Sequence, residues 1–197
     1  SSDLGELGVY AGTAQTNLTA TTEKLGPEQN RNYEVGAQWD LTSGMQVRAA
    51  LFRTDKINQR IADSITGVTV LAGKRRVEGI ELQANGSLTR DWDLYSAATF
   101  NRGENVKATA NQGNVPLGVA EASASLWSIT RLGQGWEAGG GVLASSGFWL
   151  TDANNGKVPA YAVVNLTAAY VQRKYELRLN LYNLADKTYY LGGYQNA

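Results

Sequence analysis

The 197-residue chain contains no cysteine and no histidine. Disulfide frameworks, thiol nucleophiles, Cys/His metal sites and histidine acid–base chemistry are therefore excluded. Lys+Arg and Asp+Glu both total 18, so the formal net charge is zero. The basic excess of a nucleic-acid-binding protein is missing, and we expect no nucleic-acid partner.

No other residue pattern indicates catalysis. Asp91 and Asp93 bracket Trp92 at a turn, and Gly139-Gly140-Gly141 is not followed by the Lys-Ser/Thr of a phosphate-binding loop. We expect no catalytic residues, no metal site, no cofactor and no enzyme activity.

Long apolar runs are also missing, since none approaches the ~18 residues that a membrane-spanning helix needs. The N-terminus has no basic-then-apolar segment typical of a signal peptide. A membrane-spanning β-strand escapes the hydropathy test, because only every second residue has to be apolar.

Apolar and polar residues alternate along much of the chain. In Tyr175–Leu184, Tyr175, Leu177, Leu179 and Leu181 alternate with polar or charged neighbours. A helix would repeat its apolar positions every three or four residues, so this pattern predicts a strand. Similar segments, some alternating less sharply, predict about eight strands and a possible earlier one at 7–13: 33–41, 45–52, 80–87, 92–100, 120–129, 136–144, 161–171 and 175–184.

The predicted connections are of two kinds. Tight turns are expected at 42–44, 90–91, 134–135 and 173–174. Between them lie long polar connections at 54–76, 102–119, 147–160 and from 185 onward. Short periplasmic turns at one end and long extracellular loops at the other are typical of an antiparallel, up-and-down outer-membrane barrel.

Aromatic residues lie near the short turns. Five of them fall on the apolar face of their strands and are predicted to form a membrane-interface girdle: Trp39, Trp92, Trp136, Tyr170 and Tyr175. Four others are candidates for the opposite girdle: Phe100, Phe148, Trp149 and Tyr189. The alternative is a soluble β-sandwich with aromatics in its core and a solvated polar face. The loop asymmetry and the matching depth of the five aromatics favour the transmembrane barrel.

Six short motifs, in this order, resemble those of TonB-dependent receptors. Leu25-Gly26-Pro27-Glu28 with Tyr33-Glu34-Val35-Gly36 is similar to the family's L-x-P-E…Y-E-x-G signature. The others are similar to its A-x-F strand, its G-[VI]-E strand, two strand entries and its N-[LV]-x-D-x-x-Y ending: Ala50-Leu51-Phe52, Gly79-Ile80-Glu81, Leu126-Trp127, Pro159-Ala160-Tyr161 and Asn183–Tyr189. The likeness extends from Leu25 to Tyr190 and is nearest to siderophore receptors.

The resemblance implies a 22-stranded barrel that encloses a plug domain. Residues 1–197 would be its C-terminal portion, with about eight or nine strands and without the plug domain or the final strand. The whole receptor would lie in the outer membrane of a Gram-negative bacterium. It would bind ferric siderophore, a transported ligand and not a cofactor, and import it with energy from the TonB–ExbB–ExbD complex, which acts through the missing plug region.

The resemblance also suggests where such a ligand binds. Ferric siderophores are often anionic and aromatic, so cations and aromatic rings at the extracellular ends of strands are candidate contacts: Lys74, Arg75, Arg76, Arg102, Phe148 and Trp149. The alternative for the cations is solvation or contact with outer-membrane lipid, including lipopolysaccharide phosphates. Two other functions stay open: a passive porin or autotransporter-type barrel, and a soluble adhesin or sugar-binding module.

Overall fold

The computed structural model describes residues 27–42, 44–62 and 69–193. Eight strands form one antiparallel sheet in the order β1-β2-β3-β4-β5-β6-β9-β10. Their bounds are β1 Gln29–Thr42, β2 Met45–Ala62, β3 Thr69–Thr89, β4 Trp92–Lys107, β5 Ala122–Gly133, β6 Trp136–Ser145, β9 Tyr161–Gln172 and β10 Tyr175–Leu181. A separate small hairpin pairs β7 Phe148–Trp149 with β8 Lys157–Val158.

The all-β, up-and-down architecture predicted from the sequence is confirmed, but several strand bounds are wrong. β2 and β3 extend far into the predicted connection at 54–76, and β4 extends to Lys107. Both faces of these extensions carry charged residues. The apolar–polar alternation that identifies a half-buried strand is therefore lost there. β10 ends at Leu181, three residues before the predicted end. The possible strand at 7–13 lies outside the described residues.

One face of the sheet is apolar across all eight strands. The cross-strand register places Val35, Leu51, Ile80 and Phe100 directly opposite one another in a row. On the later strands, Leu126 is opposite Val142, and Val142 is opposite Val164. Directly opposed residues share a face, so these rows form one continuous surface, called the apolar face below. Its large side chains are exposed; Leu51 is 55% exposed and Leu179 is 61% exposed.

The opposite, polar face carries ion pairs and a few aromatic rings that lie beside glycines. Phe52 is opposite Gly79, and Trp127 is opposite Gly141. A Cβ atom on Gly79 would approach Phe52 Cε1 to 3.0 Å, and one on Gly141 would collide with the Trp127 ring. The glycines therefore leave room for the rings to lie across the neighbouring strand.

The connections differ sharply between the two ends of the strands. Residues 90–91, 134–135 and 173–174 connect strands at the short-turn end, and β1 ends at Thr42 and β2 begins at Met45 at that same end. The β5–β6 turn has φ values of 87°, 52° and 88° at Gly133, Gln134 and Gly135, a left-handed path that favours glycine. The connections at 108–121 and 146–160 lie at the other end, called the long-loop end. The predicted loop asymmetry is confirmed.

Large buried side chains are few. The buried apolar residues of the described chain are small or medium in size: Met45, Ala50, Val158, Val163 and Ala169. A single sheet has no second layer to cover its apolar face, which explains the thin core. No helix in the described ranges is long and apolar enough to cross a membrane.

Candidate functional site

Two connections at the long-loop end are joined into one unit. Asn154 accepts a hydrogen bond at Oδ1 from the Val115 backbone N–H (3.1 Å) and donates from Nδ2 to the Val115 carbonyl (2.7 Å). Asp152 Oδ1 accepts from the Leu117 N–H at 3.0 Å, and the Gly118 N–H donates to the Trp149 carbonyl at 2.9 Å. Residues 114–118 and 149–154, called the loop unit below, are thus held together by both side-chain and backbone bonds.

An ion pair fixes this loop unit to the sheet. Arg75 of β3 has its guanidinium against the Asp152 carboxylate, and both side chains are about a quarter exposed. Arg75 lies on the same, polar face of β3 as Glu81 and Gln83, so the loop unit is anchored over that face. The side chain of Asn114 adds a bond to the Asp152 carbonyl at 3.0 Å.

A second charged cluster surrounds Asp55, on the extension of the apolar face. Arg76 Nε lies 2.8 Å from Asp55 Oδ1, and Arg53 and Lys74 lie 3.2 Å and 3.5 Å from Oδ2. Asp55 is only 6% exposed. Burial opposes its ionisation, but hydrogen bonds from Arg76 and Arg53 and the nearby positive charges outweigh it and lower the pKa of Asp55 to about 2.

The four cations of the predicted ligand site are divided between the two faces. Only Arg75 shares the polar face of β3, because Lys74 and Arg76 alternate with it and contact Asp55. Arg102 is exposed and lies opposite Glu78, in the row next to the one that contains Ile80 and Phe100. The sheet therefore separates Arg75 from the other three.

The two predicted aromatic contacts lie in the small hairpin. Phe148 is opposite Val158, and Trp149 is opposite Lys157, whose ammonium lies 5.1 Å from the centre of the Trp149 ring. Both aromatic side chains are half-buried. Trp149 belongs to the same loop unit as Asp152, and Asp152 is the ion-pair partner of Arg75. A role for any of the six residues in ligand binding stays a prediction.

The five aromatics of the predicted girdle share the apolar face near the short turns. Trp136 and Tyr170 are directly opposite, with ring centres 4.8 Å apart, and Tyr170 lies 6.3 Å from Tyr175. Trp39 is opposite Val47, and Trp92 is opposite Thr130. Of the four candidates for the opposite girdle, Phe100 lies on this face, whereas Tyr189 packs on Tyr161 at 4.9 Å. Tyr161 is opposite Ser145 on the polar face.

Several family-like motifs have structural roles. Glu28 accepts a bond from the Arg60 backbone N–H at 3.2 Å and pairs with Lys56, which joins the start of β1 to β2. Asn183 has a φ of 51°. Its side-chain Nδ2 donates to the Lys187 carbonyl at 3.0 Å, and its Oδ1 accepts from the Lys187 backbone N–H at 3.0 Å. The N-[LV]-x-D-x-x-Y pattern therefore encodes a tight turn after β10.

Sequence reasoning missed three polar residues of the long-loop end: Asn105, Asp152 and Asn154. Nothing in the local sequence distinguishes Asp152 and Asn154 from other loop residues, because their partners are 35 to 77 positions away in the chain. Within the described ranges, no group of three acidic side chains is arranged to hold a metal ion.

These features define a class: the wall of an antiparallel β-barrel with one apolar and one polar face. A family model described as TonB dependent receptor-like, beta-barrel, matches residues 2–184. The chain belongs to the TonB-dependent receptor β-barrel family, as its motifs suggested, and the family's members are receptors and transporters, not enzymes.

Curated relatives and a solved structure support the same family assignment. The chain is 30% identical over 205 residues to the probable TonB-dependent siderophore receptor PiuA of Acinetobacter baumannii, with 95% of this chain and 27% of PiuA covered. It is 34% identical to the probable TonB-dependent receptor BfrD of Bordetella pertussis, covering 91% and 26%. The PiuA crystal structure superposes with a TM-score of 0.85 at 27% identity, covering 93% and 28%. The chain thus spans about a quarter of these relatives' length.

Proposed function

We propose that the chain forms part of an outer-membrane receptor that binds a ferric siderophore and imports it with energy supplied by TonB. The observation that carries the outer-membrane location is the uninterrupted apolar face, bordered by aromatics at the short-turn end. Exposed apolar surfaces of this extent are rare on soluble monomers and mark contact with protein or membrane. The described strands also form one sheet with a separate short hairpin, which disfavours a two-sheet sandwich.

The dimensions of the apolar face support a membrane location. On β4, Trp92 and Phe100 are eight residues apart, or about 27 Å at ~3.4 Å per residue. A strand tilt of about 40° reduces this to about 21 Å, near the ~25 Å apolar band of outer-membrane barrels. Beyond Phe100 the same face becomes charged, with Arg53, Glu78 and Arg102 in the next row. We infer that the long-loop end is extracellular and the short-turn end periplasmic.

The receptor role rests on the family and on the names of the relatives. PiuA is a probable siderophore receptor, and the ferrioxamine receptor of Yersinia enterocolitica is 29% identical over 90% of this chain. The polar face and the loop unit would then form part of the wall around the ligand. The plug, the TonB–ExbB–ExbD contact and the remaining strands would be supplied by the rest of the receptor.

Uptake of radioactive iron tests this proposal. The complete receptor is expressed in a Gram-negative host that lacks its own siderophore receptors, and catecholate and hydroxamate ferric chelates are supplied separately. We expect uptake of at least one chelate class, and its loss when the host's tonB gene is deleted. Equal uptake with and without TonB would indicate a passive barrel, and absence of uptake for every chelate would refute the siderophore role.

A further inference from the structure

A small polar cavity lies under the loop unit at the long-loop end. Its volume is about 200 Å³, and its charged and polar lining includes Arg60 of β2, Arg75 of β3, Asn105 of β4, Asn111 and Asp152. The cavity is lined on one side by residues of β2, β3 and β4 and on the other by residues 108–111 of the β4–β5 connection. Elements distant in sequence therefore converge on one space.

Two buried hydrogen-bond donors at this cavity have no acceptor among the described residues. Asn105 is 3% exposed, and its Nδ2 atom is buried without a partner. Arg75 bonds Asp152 through a terminal nitrogen, but its Nε atom is likewise buried and unpartnered. An unpaired buried donor costs about 1–3 kcal/mol, so such groups in a native structure normally meet a ligand, an ion or water.

The chemistry of the unpartnered donors favours an oxygen anion. The Nε donor belongs to the charged guanidinium of Arg75, and a hydrogen bond from a charged donor is strongest to a charged oxygen acceptor. Both unpartnered groups are donors, so a complementary ligand must present acceptor oxygens. The volume is below the roughly 300–1,000 Å³ of pockets that enclose a drug-sized ligand. A carboxylate or a similar oxygen group fits, whereas a complete ferric chelate does not.

We propose that this cavity is a binding site for a small oxygen anion, such as a carboxylate, held by Asn105 Nδ2 and Arg75 Nε. The anion enters either as a free small molecule or as one arm of a larger chelate whose body remains outside. The second source rests on the function proposed above, and the first does not. In both cases Asp152 occupies a terminal nitrogen of the Arg75 guanidinium and leaves Nε as the donor available to the anion.

Asn105→Asp is the most direct test, because it replaces a donor with an acceptor at nearly constant shape. The backbone of Asn105 is held independently, since its N–H donates to the Asn114 carbonyl at 2.8 Å and its carbonyl accepts from Gly113 at 2.9 Å. We expect Asn105→Asp in the complete receptor to weaken anion binding at least tenfold, since a hydrogen bond to a charged group is lost and a like charge is introduced.

Arg75→Lys provides a second variant that keeps the positive charge beside Asp152 and removes the Nε donor. We expect a several-fold loss of affinity. The matched control is Asn85→Asp, which adds the same charge to the polar face. Asn85 is exposed and its Oδ1 accepts a bond from the Ser96 N–H at 3.2 Å, which aspartate retains. The anion affinity of the Asn85→Asp variant should equal that of the wild type.

Isothermal titration of the purified receptor with citrate, and separately with ferric chelates that carry carboxylate or catecholate arms, distinguishes the two sources. Citrate binding that depends on Asn105 identifies a free-anion site. Chelate binding that depends on Asn105, without citrate binding, identifies an arm of the chelate. If Asn105→Asp binds every probe as the wild type does, or if the wild type binds none, the cavity holds only water and the proposal is wrong.

TonB-dependent iron uptake by the same variants separates this inference from the proposed function. If the wild type imports iron and Asn105→Asp binds all probes normally, the receptor role stands and the anion site fails. If the wild type imports no chelate but binds citrate in an Asn105-dependent manner, the anion site stands and the receptor role fails.

Discussion

The two faces of the sheet are built by alternate residues of the same strands, yet one exposes apolar side chains and the other pairs charged ones. The apolar face leaves leucines such as Leu51 and Leu179 more than half exposed. The polar face pairs its charges, as in Arg48–Glu34 at 2.9 Å and Arg178–Glu176 at 2.6 Å. In a soluble protein the apolar face would be covered. The apolar face is therefore suited to contact with lipid, and the polar face is suited to a hydrated interior.

Neighbouring glycines on the two faces, Gly141 and Gly140, differ in how they tolerate an added side chain. Glycines on the polar face accommodate rings from neighbouring strands, and a Cβ added at Gly141 would lie 2.3 Å from the Leu126 carbonyl oxygen. On the apolar face, a Cβ added at Gly140 would lie 2.7 Å from Leu166 Cδ2, the flexible end of that side chain. A side chain added at Gly141 therefore meets fixed backbone, and one added at Gly140 first meets side-chain atoms that can move.

The largest expected effect tests the facing itself. Leu179→Arg in the complete barrel should lower the free energy of unfolding by about 2–4 kcal/mol if the position lies near mid-membrane, because a charge would face lipid. Urea unfolding in lipid vesicles measures it. Asn180→Arg is the matched control on the polar face. It removes the 2.8 Å bond from Thr167 Oγ1 and should cost about 1 kcal/mol. Equal losses would contradict the assigned faces.

A second change tests packing on the polar face. Gly141→Leu places a Cβ against the Leu126 carbonyl and the Trp127 ring, so we expect a loss of about 3 kcal/mol, at the upper end for overpacking. Gly140→Ala should cost less, because Leu166 can change rotamer. The same unfolding measurement, with tryptophan fluorescence as the signal, checks this order, and a smaller loss for Gly141→Leu than for Gly140→Ala would contradict the crowding at Gly141.

The Asp55 cluster gives a prediction for pH. The folded-state pKa is about 2, below the ordinary value of 3.8, so the stabilisation is present above about pH 4 and is lost as the pH falls towards 2. At neutral pH it amounts to about 2 kcal/mol. Asp55→Asn should remove most of it at pH 7 and change little at pH 2. A constant difference between the two proteins across this range would contradict the assignment.

The smallest expected effect is local. Asp152→Asn keeps an acceptor for the Leu117 N–H but removes the ion pair with Arg75. We expect hydrogen exchange in residues 108–121 and 147–160 to rise several-fold, with no change in β9 or β10. The free energy of global unfolding should fall by less than about 1 kcal/mol, the usual contribution of a partly exposed ion pair. Unchanged exchange in both loops would show that the remaining hydrogen bonds, including those of Asn154, join them without the ion pair.

Much of the fold could be predicted from local pattern. The alternation in 175–181 and the turn residues at 133–135 depend only on neighbouring positions, so strand identity, the short turns and the shared face of Trp39, Trp92 and Trp136 could be derived from the sequence. The strand ends could not, because charges occupy both faces beyond Leu51 and Ile80, where β2 and β3 remain paired through Ala62 and Thr69.

The placement of the predicted site residues on the two faces could not be derived from residue type, for a physical reason. Lys74, Arg75 and Arg76 are consecutive, and residue type alone groups them. The strand period places Arg75 on one face and its two neighbours on the other, where Asp55 holds them.

The sequence by itself determined the family, the up-and-down sheet and its two faces, since these follow from period-two alternation and short motifs. Only the tertiary structure decided the cavity at Asn105 and the joining of the loops by Asp152 and Asn154, because strand pairing brings their partners together across long stretches of chain.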